Sequence, residues 1–329
     1  MLTKPLSVKV PGKLFIAGEY AVTQPNRLAL IAAVTTDFTV SIEKSLSRLS
    51  HLHTNVGMAD LAFDLQDFKI EETNPWRFVL AVLKRLPLPK DAQISLDIHS
   101  GLGFGEAKKG FGSSASTVVG VVNACNQYFD LKLTISEKFE IAGRAHREMQ
   151  GSGSLGDVAS ILTGSICKYQ SPDEAWENWS IATFKQSELG LSRVFVADTG
   201  KAVNTHEKLA IRLDEHFYRQ SDALVEQIYR TMWAPSFDFT RFKMALLANQ
   251  QLLFNHLPQG YLTEKLAWAL SVVNSRPHFA GKVSGSGFGE NLIVFATRDV
   301  TPLEIDNLKE SLSQYAIKFE EVEVAPQYE

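Results

Sequence analysis

The 329-residue chain is short of several features that would assign it to a protein class at once. It has two cysteines, Cys125 and Cys167, in apolar stretches without the spacing of metal ligands. This pattern excludes a cysteine metal site and predicts two reduced thiols in the core. No apolar run approaches the ~20 residues that a membrane-spanning helix needs. The first five residues also lack the apolar segment and cleavage site of a secretory signal. We therefore expect a cytoplasmic protein without a membrane partner.

An excess of charge of one sign is also missing. The chain has 33 lysines and arginines against 37 aspartates and glutamates, and a formal net charge of -4. Without a broad basic surface, nucleic acid is excluded as an expected partner, and an anionic ligand has to be bound by local groups. Hydrophobic residues make up 45% of the chain, which is enough for a sizeable core in two domains of ordinary size.

Strand-like and helix-like patterns occur in both halves of the chain, without internal repeats. Alternating or β-branched runs predict strands over residues 6–10, 29–33, 38–42, 93–99, 166–169, 193–197, 291–296 and 317–324. Helical spacing of apolar residues predicts helices over 75–86, 116–128, 136–149, 206–229, 242–254, 261–274 and 302–315. Because these elements do not alternate regularly as strand, helix, strand, we predict the α+β class over a doubly wound sheet.

A glycine- and serine-rich segment lies between a predicted strand and a predicted helix. It consists of Gly110, Phe111, Gly112, Ser113, Ser114, Ala115 and Ser116. Its glycines allow a close approach of the backbone to a ligand, and the free N–H groups of a helix N-terminus attract anions. The serine hydroxyls add donors, and one can face Mg²⁺. The segment is no Walker A loop, because no Gly-Lys-Ser or Gly-Lys-Thr closes it. Composition alone fits a surface turn before a capped helix equally well.

Three further segments carry charge or glycine in unusual places. Residues 8–22 hold Lys13 and Glu19 among apolar and small residues, where a lysine either reaches the surface or is held inside by a partner. Asp157 opens an apolar run after the mostly small residues 151–156, as a helix cap or a catalytic base would. Residues 281–289 form a third glycine- and serine-rich loop. A predicted strand follows this loop, whereas a dinucleotide fingerprint has its strand before the glycines.

These four segments, in this order and at this spacing, resemble the GHMP kinase superfamily over residues 9–295. The resemblance is strongest to its bacterial phosphomevalonate kinase branch. The segment 11–22 has Tyr20 where mevalonate kinases more often have histidine, and residues 154–159 and 199–205 also fit that branch.

The resemblance implies an architecture and an activity. The fold would be a two-domain α+β GHMP kinase architecture with the active site in the cleft. Residues 1–180 would form an ATP-binding domain like domain 2 of ribosomal protein S5, and residues 181–329 a ferredoxin-like domain that completes the substrate site. The chain would use ATP and Mg²⁺ to phosphorylate a small metabolite, first of all (R)-5-phosphomevalonate to 5-diphosphomevalonate in the mevalonate pathway to isoprenoids, as a monomer or a homodimer.

The resemblance also implies roles for matching positions. Lys13 would lie at the transferring phosphoryl group, and Asp157 would accept the acceptor's proton or orient its oxygen. The backbone of Gly110–Ser116 would wrap the ATP phosphates, and Ser114 would hold Mg²⁺. A Lys13–Asp157 pair would stabilise both charged forms. The implied substrate-binding residues are Tyr20, Ser152, Ser154, Asn204, Thr205, Ser284 and Gly285.

The third glycine loop departs from the family pattern. Phe288 interrupts the glycines, where its ring would narrow the space beside the phosphates or the acceptor. Glu290 and Asn291 stand where phosphomevalonate kinases have Asp-Cys. The acceptor therefore stays open between phosphomevalonate, mevalonate and another small alcohol or sugar, and a non-catalytic ligand sensor on the same fold is the alternative outside the enzymes.

Overall fold

The computed structural model describes residues 4–102, 110–173, 178–184, 193–200, 211 and 213–328, which form three β-sheets covered by helices. The strands are β1 (Leu6–Lys9), β2 (Gly12–Ala17), β3 (Leu28–Val34), β4 (Phe38–Lys44), β5 (Ser50–Thr54), β6 (Leu61–Phe63), β7 (Ile94–Ser100), β8 (Ile166–Gln170), β9 (Ser180–Phe184), β10 (Arg193–Asp198), β11 (Phe279–Ser284), β12 (Asn291–Ala296) and β13 (Lys318–Val322). The helices are α1 (Arg77–Leu83), α2 (Ser113–Phe129), α3 (Ile135–Gln150), α4 (Gly156–Thr163), α5 (Glu215–Met232), α6 (Phe239–His256), α7 (Glu264–Asn274) and α8 (Pro302–Ser313). None of these helices is long and apolar enough to cross a bilayer.

The first half of the chain contains two sheets and helices α1 to α4. One sheet has the order β1-β4-β7-β5-β6 and is antiparallel except for the β5–β7 pair. The other is antiparallel with the order β2-β3-β8-β9. Helix α2 packs closely on β4 at Gly120, where an added Cβ would stand 2.6 Å from a methyl group of Val40. This contact fixes the N-terminus of α2 beside the start of β2, where Ser116 Oγ donates to the Pro11 carbonyl at 2.9 Å.

The second half has the ferredoxin-like arrangement that the resemblance implies. Its antiparallel sheet has the order β11-β12-β10-β13, and helices α5 to α7 connect β10 to β11 while α8 connects β12 to β13. The chain order strand, helices, strand, strand, helix, strand is that of a split β-α-β unit. The turn between β11 and β12 therefore joins two neighbouring strands that are buried along their whole length.

A shared core joins the two halves. One buried cluster lies within the first half and a second within the ferredoxin-like sheet and its helices, apart from two residues contributed by the first half. A third contains Leu14 and Ile16 of β2 together with Val194 of β10 and Phe295 of β12. The boundary at residue 180 stays a prediction, but this core places β2 directly against the second half.

Several predicted elements begin or end elsewhere. The helix expected from Pro75 begins at Arg77, after a turn in which the Asn74 side chain accepts the Trp76 N–H at 2.8 Å. Helix α3 begins at Ile135, one residue before the predicted start, and is capped by Thr134 and Glu137 in a capping box. Both cysteines are buried free thiols, as predicted.

Two of these differences affect the site. Helix α2 begins at Ser113 and not near Ser116, so the serines form its first turn. Residues 281–284 belong to strand β11, so the third loop is a hairpin turn that begins at Gly285. Besides β11, four described strands with little apolar alternation or with small residues were not predicted, namely β2, β5, β6 and β9.

Candidate active site

The N-terminus of α2 forms one wall of the site. Gly112 is its N-cap residue in the left-handed region, with φ 81°, and Ser113 and Ser114 are half-buried in the first turn. An added Cβ on Gly112 would stand 3.0 Å from Lys13 Cγ, so this position needs glycine for the close approach. Ala115 and Ser116 are fully buried, and the Ser116 N–H donates to the Gly112 carbonyl at 2.9 Å, so Ser113 and Ser114 are the accessible residues of this turn. The first turn thus presents free N–H groups beside a lysine, which suits an anion.

Lys13 is held against the glycine-rich segment by two hydrogen bonds. Its backbone N–H donates to the Phe111 carbonyl and its ammonium donates to the Gly110 carbonyl, both at 2.9 Å. Lys13 lies on β2, whose neighbouring side chains Leu14 and Ile16 are buried in the shared core. The lysine is therefore a fixed positive charge beside the α2 N-terminus.

Asp157 approaches the same region from α4. It lies in the first turn of that helix and is not the cap, which is Leu155 in the left-handed region with φ 62°. Its Oδ1 accepts the N–H of Val158 at 2.9 Å, and its Oδ2 lies 3.9 Å from Nε2 of His146. The ion pair expected between Lys13 and Asp157 is not formed between these two described side chains, because Lys13 binds a carbonyl instead.

His146 connects Asp157 to the glycine-rich segment. Its ring is 1% exposed, and Nε2 lies 3.2 Å from the hydroxyl of Ser114 as well as 3.9 Å from Asp157. Phe78 packs on the other side, with ring centroids 5.7 Å apart. This histidine is not among the residues predicted from the sequence. The signal for it was its place on the apolar face of α3, with Phe139 and Ala142, where a buried imidazole needs polar partners.

The predicted substrate residues that the structure describes lie in two places, at the third glycine loop and before α4. Tyr20 is buried, and its hydroxyl donates to the Ser286 carbonyl at 2.6 Å. Ser284 is buried at the end of β11, with Gly285 next to it at φ 86°. Ser152 and Ser154 are half-buried before α4, and Ser154 Oγ accepts the Gly156 N–H at 3.3 Å. Asn204 and Thr205 lie outside the described residues.

Phe288 has a different surrounding from the one its position suggested. Its ring meets the ring of Tyr261 edge to face at 6.1 Å, and its N–H donates to the Tyr261 carbonyl at 2.8 Å. The ring packs against the core of the second half. This contact anchors the third loop, whereas the sequence suggested a ring that narrows the phosphate site.

Glu19 is held inside by a partner from the second half. Lys282 Nζ donates to Glu19 Oε1 at 2.5 Å, and the two side chains are 0% and 3% exposed. Burial lowers the pKa of Lys282, and the Glu19 carboxylate opposes that shift. Together with the Tyr20 hydrogen bond, this pair ties the residues after β2 to the β11–β12 hairpin.

The Mg²⁺ that the resemblance implies would be held only partly by this chain, with further oxygens from a bound nucleotide. Among the described residues, no three His, Cys, Asp or Glu side chains are grouped as a metal site. Mg²⁺ is usually held by one or two protein oxygens together with phosphate oxygens and water. Ser114 and Asp157 both lie within 4 Å of His146 Nε2 and offer a hydroxyl and a carboxylate of that kind.

Comparison with known proteins identifies one domain of the chain. Residues 75–165 match the GHMP kinases N terminal domain, a range that includes the glycine-rich segment, His146 and Asp157. The chain contains a GHMP kinase N-terminal domain. It is 27% identical over 185 residues to phosphomevalonate kinase of Streptomyces sp. strain CL190, covering 50% of each chain. It is 25% identical over 175 residues to mevalonate kinase of Saccharolobus solfataricus, covering 52% of this chain and 54% of the relative.

Solved structures extend the likeness over the whole fold. Streptococcus pneumoniae phosphomevalonate kinase in complex with phosphomevalonate and AMPPNP matches with a TM-score of 0.80 at 21% identity, covering 96% of this chain and 99% of that one. The chain therefore has the two-domain GHMP kinase fold. It spans about half the length of the curated relatives that it matches in sequence.

Proposed function

We propose that this protein with a GHMP kinase domain uses Mg²⁺ and transfers the γ-phosphoryl group of ATP to a small acidic metabolite. The first candidate for this acceptor is (R)-5-phosphomevalonate. The observation that supports this most is the convergence of Lys13, the N-terminus of α2 and the Asp157–His146–Ser114 contacts on one wall. Phosphoryl transfer depends mainly on positioning and on neutralising charge at the γ-phosphate oxygens. This wall offers both.

Each residue has a defined part in the reaction. The N–H groups of the first turn of α2 bind phosphate oxygens, and Lys13 neutralises charge that develops on the transferred group. An oxygen of the acceptor attacks the γ-phosphorus, the bond to the β–γ bridging oxygen breaks, and ADP leaves. Mg²⁺ would supply further charge neutralisation at the phosphates, held by Ser114 and Asp157.

The role of Asp157 depends on the acceptor. An alcohol has to lose a proton, which the Asp157 carboxylate would accept. A phosphate monoester is largely ionised at neutral pH, so Asp157 would then orient the attacking oxygen.

The test is a panel of acceptors in a coupled assay of ADP release. We expect ADP release that depends on (R)-5-phosphomevalonate. Asp157→Asn is expected to lower kcat by at least about tenfold, at the low end of the range for base catalysis. Lys13→Met is expected to lower kcat by about 10²–10³-fold, as for loss of one charge-stabilising donor. Controls are Lys9→Met on the exposed face of β1 and Asp130→Asn, whose side chain is 74% exposed.

The other outcomes separate the remaining candidates. Turnover of mevalonate alone would identify a mevalonate kinase, which the relative from Saccharolobus solfataricus supports. Turnover of only another alcohol or sugar would identify a divergent kinase. Nucleotide binding without turnover of any acceptor would favour a ligand sensor and overturn the proposal.

A further inference from the structure

The third glycine loop brings a buried carboxylate from the second half to the glycine-rich segment. Glu290 is 7% exposed, and its Oε2 accepts the N–H of Ser286 at 3.3 Å and the hydroxyl of Ser286 at 2.9 Å. The loop itself is anchored by the Tyr20 hydroxyl on the Ser286 carbonyl at 2.6 Å. The carboxylate is therefore held in one place.

The other carboxylate oxygen faces the glycine-rich segment. An added Cβ on Gly110 would stand 3.7 Å from Glu290 Oε1 and 2.9 Å from Asn291 Nδ2. Gly110 is the residue whose carbonyl accepts the ammonium of Lys13. The end of the β11–β12 hairpin thus lies directly against the segment that holds this lysine.

Glu290 and Lys13 face each other across a space beside Gly285. They are not within the 4 Å of an ion pair, yet the point where a Gly285 Cβ would stand lies 3.2 Å from Glu290 Oε2 and 3.8 Å from Lys13 Nζ. Burial raises the pKa of Glu290, and the Lys13 charge and the Ser286 hydrogen bonds oppose this. The carboxylate and the ammonium therefore interact electrostatically while the space between them stays open.

We propose that Glu290 is a positioning residue that holds the ammonium of Lys13, through its charge, towards the place where the phosphoryl group is transferred. This inference rests on the proposed kinase function. The ammonium then has the Gly110 carbonyl on one side and the Glu290 carboxylate on another, so it cannot turn freely. A prepositioned charge stabilises a transition state without reorganisation during the reaction. The site is complete only when the third loop of the second half meets the glycine-rich segment of the first.

A purely structural role is the competing explanation, in which Glu290 only holds the hairpin through Ser286. Glu290→Gln keeps the shape and an acceptor oxygen but removes the charge. Because burial raises the Glu290 pKa, the ionised carboxylate carries a cost in the folded state above that pKa, so Gln should not lower the unfolding midpoint at neutral pH. Ser286→Ala removes the hydrogen bond of the hairpin and keeps the charge.

A double-mutant cycle on kcat tests the inference. We expect Glu290→Gln to lower kcat by about tenfold, within the range measured for coupled neighbours, with the KM for ATP changed less than about twofold. In the Lys13→Met background the same change should cost nothing more, because Glu290 acts through Lys13. Glu290→Asp should restore part of the rate, and Glu320→Gln, on the exposed face of β13, should change nothing. If Lys13→Met and Glu290→Gln lowered kcat independently, so that the loss in the double variant were the product of the two single losses, the proposal would be overturned.

An NMR measurement keeps this result separate from the kinase proposal. The ε-methylene signal of Lys13, assigned by its loss in Lys13→Met, should shift in Glu290→Gln and stay in place in Glu320→Gln. A shift in a protein that turns over no acceptor would support the Lys13–Glu290 interaction while the kinase function fails. An unmoved signal in a folded Glu290→Gln variant would overturn the positioning role.

Discussion

Two lysine–glutamate pairs connect the same two parts of the molecule, and they differ in what separates the charges. Lys282 and Glu19 are in contact at 2.5 Å with almost no exposure. Lys13 and Glu290 also join β2 to the end of the hairpin, but they face an open space beside Gly285. The first pair leaves no room for a ligand, and the second leaves room for a small charged group.

The difference shows how one hairpin can serve both stability and chemistry. In the pair of Lys282 and Glu19, here called the closed pair, each charge neutralises the other, although Glu19 Oε2 has no hydrogen-bond partner among the described residues. Such pairs are costly to form and more costly to break. In the pair of Lys13 and Glu290, here called the open pair, neither charge is fully neutralised by the other. Such a pair favours binding of a ligand that carries its own charge. The closed pair supports the hairpin on which the open pair depends.

The largest expected effect comes from breaking the closed pair. Lys282→Met leaves Glu19 buried without its partner and should lower the free energy of unfolding by about 3–5 kcal/mol. Chemical denaturation with urea measures this. The double variant with Glu19→Gln should recover part of the loss, because no unpaired charge remains. A loss under about 1 kcal/mol for Lys282→Met would mean that the pair is not closed in solution.

Filling the space of the open pair should have a smaller effect on stability and a specific one on rate. Gly285→Ala places a methyl group between Lys13 and Glu290 at a left-handed backbone position, φ 86°. We expect a loss of about 1–2 kcal/mol of stability from the backbone, and a fall in kcat from the displaced charges.

Gly57→Ala is the matched control for that backbone cost. Gly57 has φ 80°, and nothing lies within 4 Å of its added Cβ. It should lose similar stability and keep its kcat. If the two variants had the same kcat, the space beside Gly285 would have no role in the reaction.

The smallest effect is expected from loss of the Tyr20 hydrogen bond, which lies between the two pairs. Tyr20→Phe removes the hydrogen bond to the Ser286 carbonyl and should lower the free energy of unfolding by about 0.5–1.5 kcal/mol, measured by urea denaturation. The exposed Tyr315→Phe serves as the control. A raised KM for the acceptor with unchanged stability would instead support the substrate contact predicted for Tyr20.

Local patterns were sufficient for much of the secondary structure. Helix α3 has strong apolar spacing, and its predicted span differs from the structure by one residue at each end. The strands that were missed lack such spacing. For example, β5 reads Ser-His-Leu-His-Thr, and its burial depends on pairing with β6 and β7. The start of α2 was misplaced because its cap, Gly112, has no side chain that could signal the boundary.

The segments that matter can be recognised in the sequence, because glycine, serine and isolated charges among apolar residues distinguish them from their surroundings. It placed Lys13, Glu19, Asp157 and the glycine-rich segments among the candidates. The partners of these residues depend on the fold, since the contacts join residues far apart in the chain. Glu19 meets Lys282, Lys13 faces Glu290, and Asp157 approaches Ser114 through His146. The reason is physical: a buried charge requires a partner, but the packing of β2 against the hairpin determines which one it finds.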